Sequence, residues 1–120
     1  MDDESVIRRL LRDMLETAGY RVTDAPEGES ALQLYRDALA EGQRFDAVIL
    51  DLTVPGGLGG KEIIGKLREI DPAVRAIVSS GYSNDPAMSD FRAYGFYGVV
   101  TKPYSYDAMI EVIQDAVDAT

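Results

Sequence analysis

The sequence of 120 residues has no cysteine and no histidine. Without cysteine there is no disulfide framework, no thiolate catalysis and no sulfur-built zinc site. Without histidine the chain carries no phosphohistidine of its own, no imidazole base and no imidazole metal ligand. Chemistry is left to carboxylates, hydroxyls, lysines and the backbone. Long apolar runs are also missing: none approaches the roughly 18–20 residues that span a bilayer. The acidic start Met1-Asp2-Asp3-Glu4 has no apolar stretch of the signal-peptide kind. A cytoplasmic protein with no membrane contact is the expectation. Basic residues are scarce, 12 Lys and Arg against 21 Asp and Glu, for a net charge of −9. No basic face is visible, which argues against binding nucleic acid or an anionic membrane surface.

Hydrophobic residues make up 46% and charged residues 28% of the chain, an ordinary globular mixture of one-domain length. Residues 1–120 are read as a single domain. Helical and extended patterns alternate, which predicts an α/β fold with a parallel sheet. Val6, Ile7, Leu10, Leu11, Met14, Leu15 and Ala18 recur at helical spacing, with Ser5 as N-cap and Gly19 as stop. Residues 20–25 read as a short strand ended by Pro26. Ala31, Leu32, Leu34, Tyr35, Ala38 and Leu39 form a second helix closed by Gly42. Ala47-Val48-Ile49-Leu50 is apolar throughout, as suits a central strand buried on both faces. A glycine-rich segment, Pro55 to Gly60, leads into a helix that ends at Ile70, before Asp71-Pro72. A strand from Val74 to Ser79, a helix opened by Asp85-Pro86, a strand from Gly98 to Thr101 and a last helix capped by Ser105 complete the order. The expected count is four strands and five helices.

Ligands of open parallel sheets bind beyond the carboxyl ends of the strands. At those ends stand Asp51, Ser79-Ser80 and Thr101-Lys102, a carboxylate, hydroxyls and an ammonium. Asp2 and Asp3 stand just before the first helix. Convergent carboxylates repel by roughly 3 kcal/mol per pair at ~5 Å and an effective dielectric of ~20, a cost that a hard divalent cation removes; Mg²⁺ suits such a set. Asp51 can then act as a nucleophile towards a phosphoryl group, with Lys102 neutralising charge on its oxygens and Ser80 hydrogen-bonding them. Each feature alone has an ordinary structural reading: a capping Asp, a Lys-Pro turn, a solvated acidic terminus. The three strand ends together resist that reading.

Four segments carry a resemblance: Asp2-Asp3-Glu4, the run from Phe45 through Asp51 to Gly56, Ser79-Ser80-Gly81-Tyr82, and Thr101-Lys102-Pro103-Tyr104. Together they resemble the receiver domain of two-component response regulators, over essentially the whole chain. The stretch from Val78 to Asp85 is most similar to receivers of hybrid sensor kinases. The resemblance implies a flavodoxin-like doubly wound sheet and a phosphorelay role. It implies that Asp51 takes a phosphoryl group from a phosphohistidine of a sensor histidine kinase or a histidine phosphotransfer domain. Mg²⁺ ligands would be Asp3 directly, Asp2 through water, Asp51 and the Thr53 carbonyl; Ser80 would be the switch hydroxyl, Lys102 the phosphoryl contact, and Lys102–Pro103 a cis bond. Catalysis would be limited to the domain's own phosphorylation and dephosphorylation.

Two departures stand out. Val99 occupies the position of the family's switch aromatic, so the readout must differ. The family also has an apolar strand before the acidic pair, where only Met1 stands here. Burial of about five such residues contributes roughly 8–15 kcal/mol, as much as the ~5–15 kcal/mol of a whole domain. The expectation is a (βα)5 fold lacking its first strand, repaired in one of two ways. Residues 20–25 pair directly with Ala47–Leu50, or a homodimer covers the gap. Either repair disturbs Asp2 and Asp3, so the competing function is a phosphorylation-impaired interaction domain. An aspartyl-phosphate phosphatase would need an acid two residues after Asp51, where Thr53 stands. An FMN carrier would need a hydroxyl-rich phosphate loop before the first helix.

Overall fold

The computed structural model describes residues 1–81 and 84–119; Tyr82 of the third resemblance segment lies outside them. Nine elements follow in order: α1 (Ser5–Thr17), α2 (Gly28–Ala40), β1 (Val48–Asp51), α3 (Gly60–Ile70), β2 (Ala76–Ser80), α4 (Pro86–Ser89), a 3₁₀ turn (Phe91–Tyr94), β3 (Gly98–Thr101) and α5 (Tyr106–Asp118). The three strands are parallel in the order β1-β2-β3. The α/β class and the parallel sheet are as the sequence predicts. None of the described helices is long and apolar enough to cross a membrane.

Most local signals act where the sequence places them; Ser5 does not, being the first residue of α1, while Glu4 stands at the cap with no side-chain cap bond. Gly19 and Gly42 close α1 and α2 with φ of +96° and +72°, a conformation that L side chains avoid. The Asp85 carboxylate accepts from the Ala87 N–H at 2.9 Å, with Pro86 as the first helical residue. The Ser105 hydroxyl accepts from Ala108 at 3.3 Å. The helix opened by Asp85 is shorter than its pattern: it ends at Ser89 and resumes as the 3₁₀ turn.

The sheet separates two cores because successive strand residues face opposite sides. Leu50 and Val78 face a cluster with Leu32, Ile63, Ile64 and Leu67 of α2 and α3. Ile77 and Val100 face Leu11 and Leu15 of α1 and Met109 and Ile113 of α5. All five residues of β2 are buried, as befits the middle strand.

The strand count is a correction: the described residues form three strands, not four. Residues 20–25 form no strand and no ladder with β1. A strand exists only through a paired neighbour, and the space beside this segment holds just Met1 and Asp2. Those two residues make two bonds to the β1 side and one to Ala25. The Met1 amino group donates to the Ile49 carbonyl at 2.7 Å, the Asp51 N–H to the Met1 carbonyl at 3.0 Å, and the Asp2 N–H to the Ala25 carbonyl at 3.1 Å. Side chains anchor the segment instead: Arg12 donates to the Val22 carbonyl at 3.1 Å, and Arg8 and Arg12 hold Asp24 at 3.0 and 2.7 Å. Consequently β1 lies at the end of the three-strand order, and Ala47, Val48 and Ile49 are half-buried where a central strand was expected to be fully buried.

The glycine-rich turn after β1 lies against that strand's carboxyl end. A Cβ on Gly59 would stand 2.3 Å from the Leu52 carbonyl oxygen. The Glu62 carboxylate fastens the turn by accepting from the Gly59 N–H at 3.1 Å. Gly59→Ala forces backbone apart, so a loss of about 1–3 kcal/mol is expected, measured as a lower midpoint of urea unfolding. A second fastening joins α2 to the turn before β2. Asp71, only 12% exposed, accepts from the Tyr35 hydroxyl at 2.6 Å and the Ala73 N–H at 3.0 Å, and pairs with Arg44 at 2.9 Å. Burial pushes its carboxyl up, but Tyr35, Ala73 and Arg44 outweigh burial and hold it below the ordinary range. A carboxyl depressed in the fold stabilises above its unfolded value near 4 and loses that contribution as pH falls through its folded value. Asp71→Asn is therefore expected to cost about 1–3 kcal/mol at pH 7, with the difference from wild type shrinking below about pH 4.

Candidate functional site

The carboxyl ends of the strands bring the predicted residues together. Asp51 closes β1 and is 5% exposed. Lys102 follows β3; its backbone N–H donates to the Ser80 carbonyl at 3.0 Å, and its ammonium stands 3.6 Å from Asp51 Oδ1 and 2.9 Å from Asp2 Oδ2. Ser80 ends β2 and is buried. Thr53 is exposed, two residues beyond Asp51, and its backbone hydrogen-bonds the Asp51 carboxyl. The Lys102–Pro103 bond is cis, as the resemblance implied.

The acidic pair is in reach of Asp51, contrary to the expectation that a missing strand would displace it. One carboxylate oxygen from each of Asp2, Asp3 and Asp51 lies within 4.8 Å of the other two. The bonds from Met1 and Asp2 to Ile49, Asp51 and Ala25 hold the pair in place, and Arg8 adds a bond to the Asp2 carbonyl at 2.9 Å. The two acids differ in setting. Asp2 is 1% exposed, with Oδ1 accepting from the Glu4 N–H at 2.9 Å, whereas Asp3 is exposed.

Electrostatics mark the cluster as strained in charge. Burial first, then the Asp2 charge, raise the Asp51 carboxyl to about 6, against the pull of Lys102 and the Thr53 backbone. Burial alone would depress the Lys102 ammonium; Asp2 and Asp51 outweigh it and hold it above its ordinary value. The Lys102 ammonium thus faces the carboxylates of Asp2 and Asp51, with an Asp3 oxygen close to both. Asp2 Oδ2 is buried and, beyond its ion pair with the Lys102 ammonium at 2.9 Å, has no hydrogen-bond donor among the described residues. Buried acceptors left in this way call for a cation or a donor. A hard divalent ion fits this all-oxygen set.

Two hydroxyls escaped assignment from sequence. Ser79 Oγ and the Tyr104 hydroxyl hydrogen-bond each other beside Asp51. Both residues fall within the resembling segments, but only the fold brings a loop tyrosine onto a β2 serine.

The response regulator receiver domain profile matches residues 1–114. The chain is 32% identical over 112 residues to a response regulator receiver protein of Anaeromyxobacter sp. strain Fw109-5, covering 93% of this chain and 44% of that one. It is 30% identical over 117 residues to sporulation initiation phosphotransferase F of Bacillus subtilis, covering 98% and 86% respectively. It is 25% identical to a segment of the sensor kinase CckA of Brucella abortus, covering 98% of this chain and 12% of the kinase. The chain thus spans less than half the length of the first and third of these relatives. The crystal structure of the receiver domain of NtrX from Brucella abortus superposes with a TM-score of 0.85 at 26% identity, over 99% of this chain and 96% of that one. The chain belongs to the response-regulator receiver domain family. Receiver domains are signalling modules of two-component systems that act as phosphoacceptors, and they typically bind Mg²⁺ at an acidic pocket such as the one formed here.

Proposed function

We propose that Asp51 is the phosphoacceptor of this receiver, charged from the phosphohistidine of a sensor histidine kinase or a histidine phosphotransfer domain. The observation that carries this reading is the convergence on Asp51 of one ammonium and two further carboxylates at the carboxyl ends of a parallel sheet. An Asp51 carboxylate oxygen attacks phosphorus, the bond from phosphorus to the donor imidazole nitrogen breaks, and its electron pair stays on that nitrogen. Lys102 holds positive charge beside the incoming phosphoryl oxygens, and Ser80, at the end of the adjacent strand, offers them a hydroxyl. Asp2, Asp3, Asp51 and the Thr53 carbonyl would hold Mg²⁺, which when bound offsets negative charge on the phosphoryl group.

The test is intact-mass measurement after incubation with acetyl phosphate and Mg²⁺. One phosphate per chain, released by hydroxylamine as an acyl phosphate must be, is expected. Label that survives hydroxylamine would sit on a hydroxyl and would refute the assignment. No label would favour the interaction-domain alternative.

A further inference from the structure

We infer that the Tyr104–Ser79 hydroxyl pair is a positioning latch: it ties the loop that carries Lys102 to the strand beside Asp51, and so sets the ammonium against the acidic site. Ser79 is fully buried in β2 and is the register partner of Asp51 on β1. Residues two apart on a strand share a face. Ser79 therefore faces the same side as Ile77, and Asp51 the same side as Ile49, both of which pack in the cluster of α1 and α5. Ser79 and Asp51 are thus side-by-side neighbours on one face.

Tyr104 comes from the other direction. Lys102 is the first residue beyond β3, and α5 does not begin until Tyr106. Within this short connection the Lys102 N–H makes one backbone bond, to Ser80. The Tyr104 side chain then crosses back over the sheet, and one hydroxyl donates to the other. A buried serine needs some partner, and a solvent molecule or a neighbouring carbonyl would serve that need alone. Here the partner belongs to the same short loop as Lys102. Lysine is a point charge on a flexible four-carbon stem, so where its ammonium rests depends on how firmly its backbone is held. The surroundings of Tyr104 agree with this geometry: burial raises its hydroxyl pKa, and the charges of Lys102, Asp2 and Asp51 all act on it. Val99, where the family carries its switch aromatic, packs on the opposite side of the sheet with the α2 and α3 cluster and cannot perform this task.

The latch rests on the reading of Asp51 as phosphoacceptor, and two readouts separate the two ideas. Tyr104→Phe and Ser79→Ala each remove one hydroxyl and keep the packing. Each is expected to lower the limiting rate of phosphorylation by acetyl phosphate about 5- to 20-fold while leaving the half-saturating donor concentration unchanged, since misplacing a catalytic group slows the reaction itself. The double variant should be no slower than either single one, because both break the same bond. Independently of phosphorylation, amide hydrogen exchange at Lys102 should quicken about tenfold in Tyr104→Phe, with β1 and β2 unchanged, as local loosening requires. Rates within twofold of wild type, additive losses, or unchanged protection at Lys102 would overturn the latch. If wild type takes up no phosphate, the phosphoacceptor reading fails, and the exchange measurement still decides the latch.

Discussion

Asp51→Asn is expected to take up no phosphate and, in the absence of divalent cations, to be more stable than wild type at pH 8. The loss of labelling follows from the proposed chemistry, since the amide is a poor nucleophile and the other two acids of the cluster flank the attack position. The gain in stability follows from the cost of holding a buried carboxylate beside Asp2. The Asp51 carboxyl is raised from 3.8 to about 6. A group raised in the fold contributes stability that is complete below its unfolded value and lost as pH climbs through its folded one. Wild type therefore forfeits about 2–3 kcal/mol between pH 4 and pH 6 and stays at that deficit above. The variant has no such deficit, so its advantage should be clear at pH 8 and vanish near pH 4. Addition of Mg²⁺ should narrow the gap at pH 8, because a ligand that binds the native acidic site stabilises wild type by mass action. Urea unfolding at the two pH values, with chelator and with Mg²⁺, measures all three effects. An Asp51→Asn protein less stable than wild type at pH 8 in chelator would mean that Lys102 more than offsets the burial and repulsion.

Lys102→Met should produce the opposite stability change and a large, though not complete, functional loss. Asp2 is 1% exposed and has the Lys102 ammonium 2.9 Å away. Removing that cation leaves a buried charge uncompensated, which costs about 3–5 kcal/mol in typical cases. The loss should be greatest in chelator and partly recovered by Mg²⁺, since a divalent ion offers the same carboxylates a positive charge. Phosphorylation by acetyl phosphate, measured at saturating Mg²⁺ where the protein is folded, should still fall by a factor of about 10²–10³. The two measurements separate two roles of one side chain. Recovery of both stability and rate by Mg²⁺ would reduce Lys102 to a counter-ion for Asp2. Recovery of stability with a persistent rate defect would mark it as the group that meets the phosphoryl oxygens.

The local pattern determined α1, α2, α3, α5 and the strands β1, β2 and β3, because caps, glycine stops and apolar runs act within a few residues of the chain; α4, which breaks at Ser89, it did not. The position of Asp51, Ser80 and Lys102 at strand ends was legible for the same reason: in a parallel sheet, the residue after an apolar run stands at the ligand-binding edge. Residues 20–25 have a strand's pattern but no strand's neighbour: a ladder needs a partner of matching length, and the residues bonded alongside are Met1 and Asp2. The place of the acidic pair is likewise a matter of distant contacts. Backbone bonds from Met1 and Asp2 hold it beside Asp51, and no local signal announces bonds to residues 25, 49 and 51. Only the fold decided that Asp2 is the buried acid and Asp3 the exposed one, and only the fold joined Tyr104 to Ser79. Each of these depends on contacts between residues distant along the chain, whose partners are decided by packing rather than by propensity.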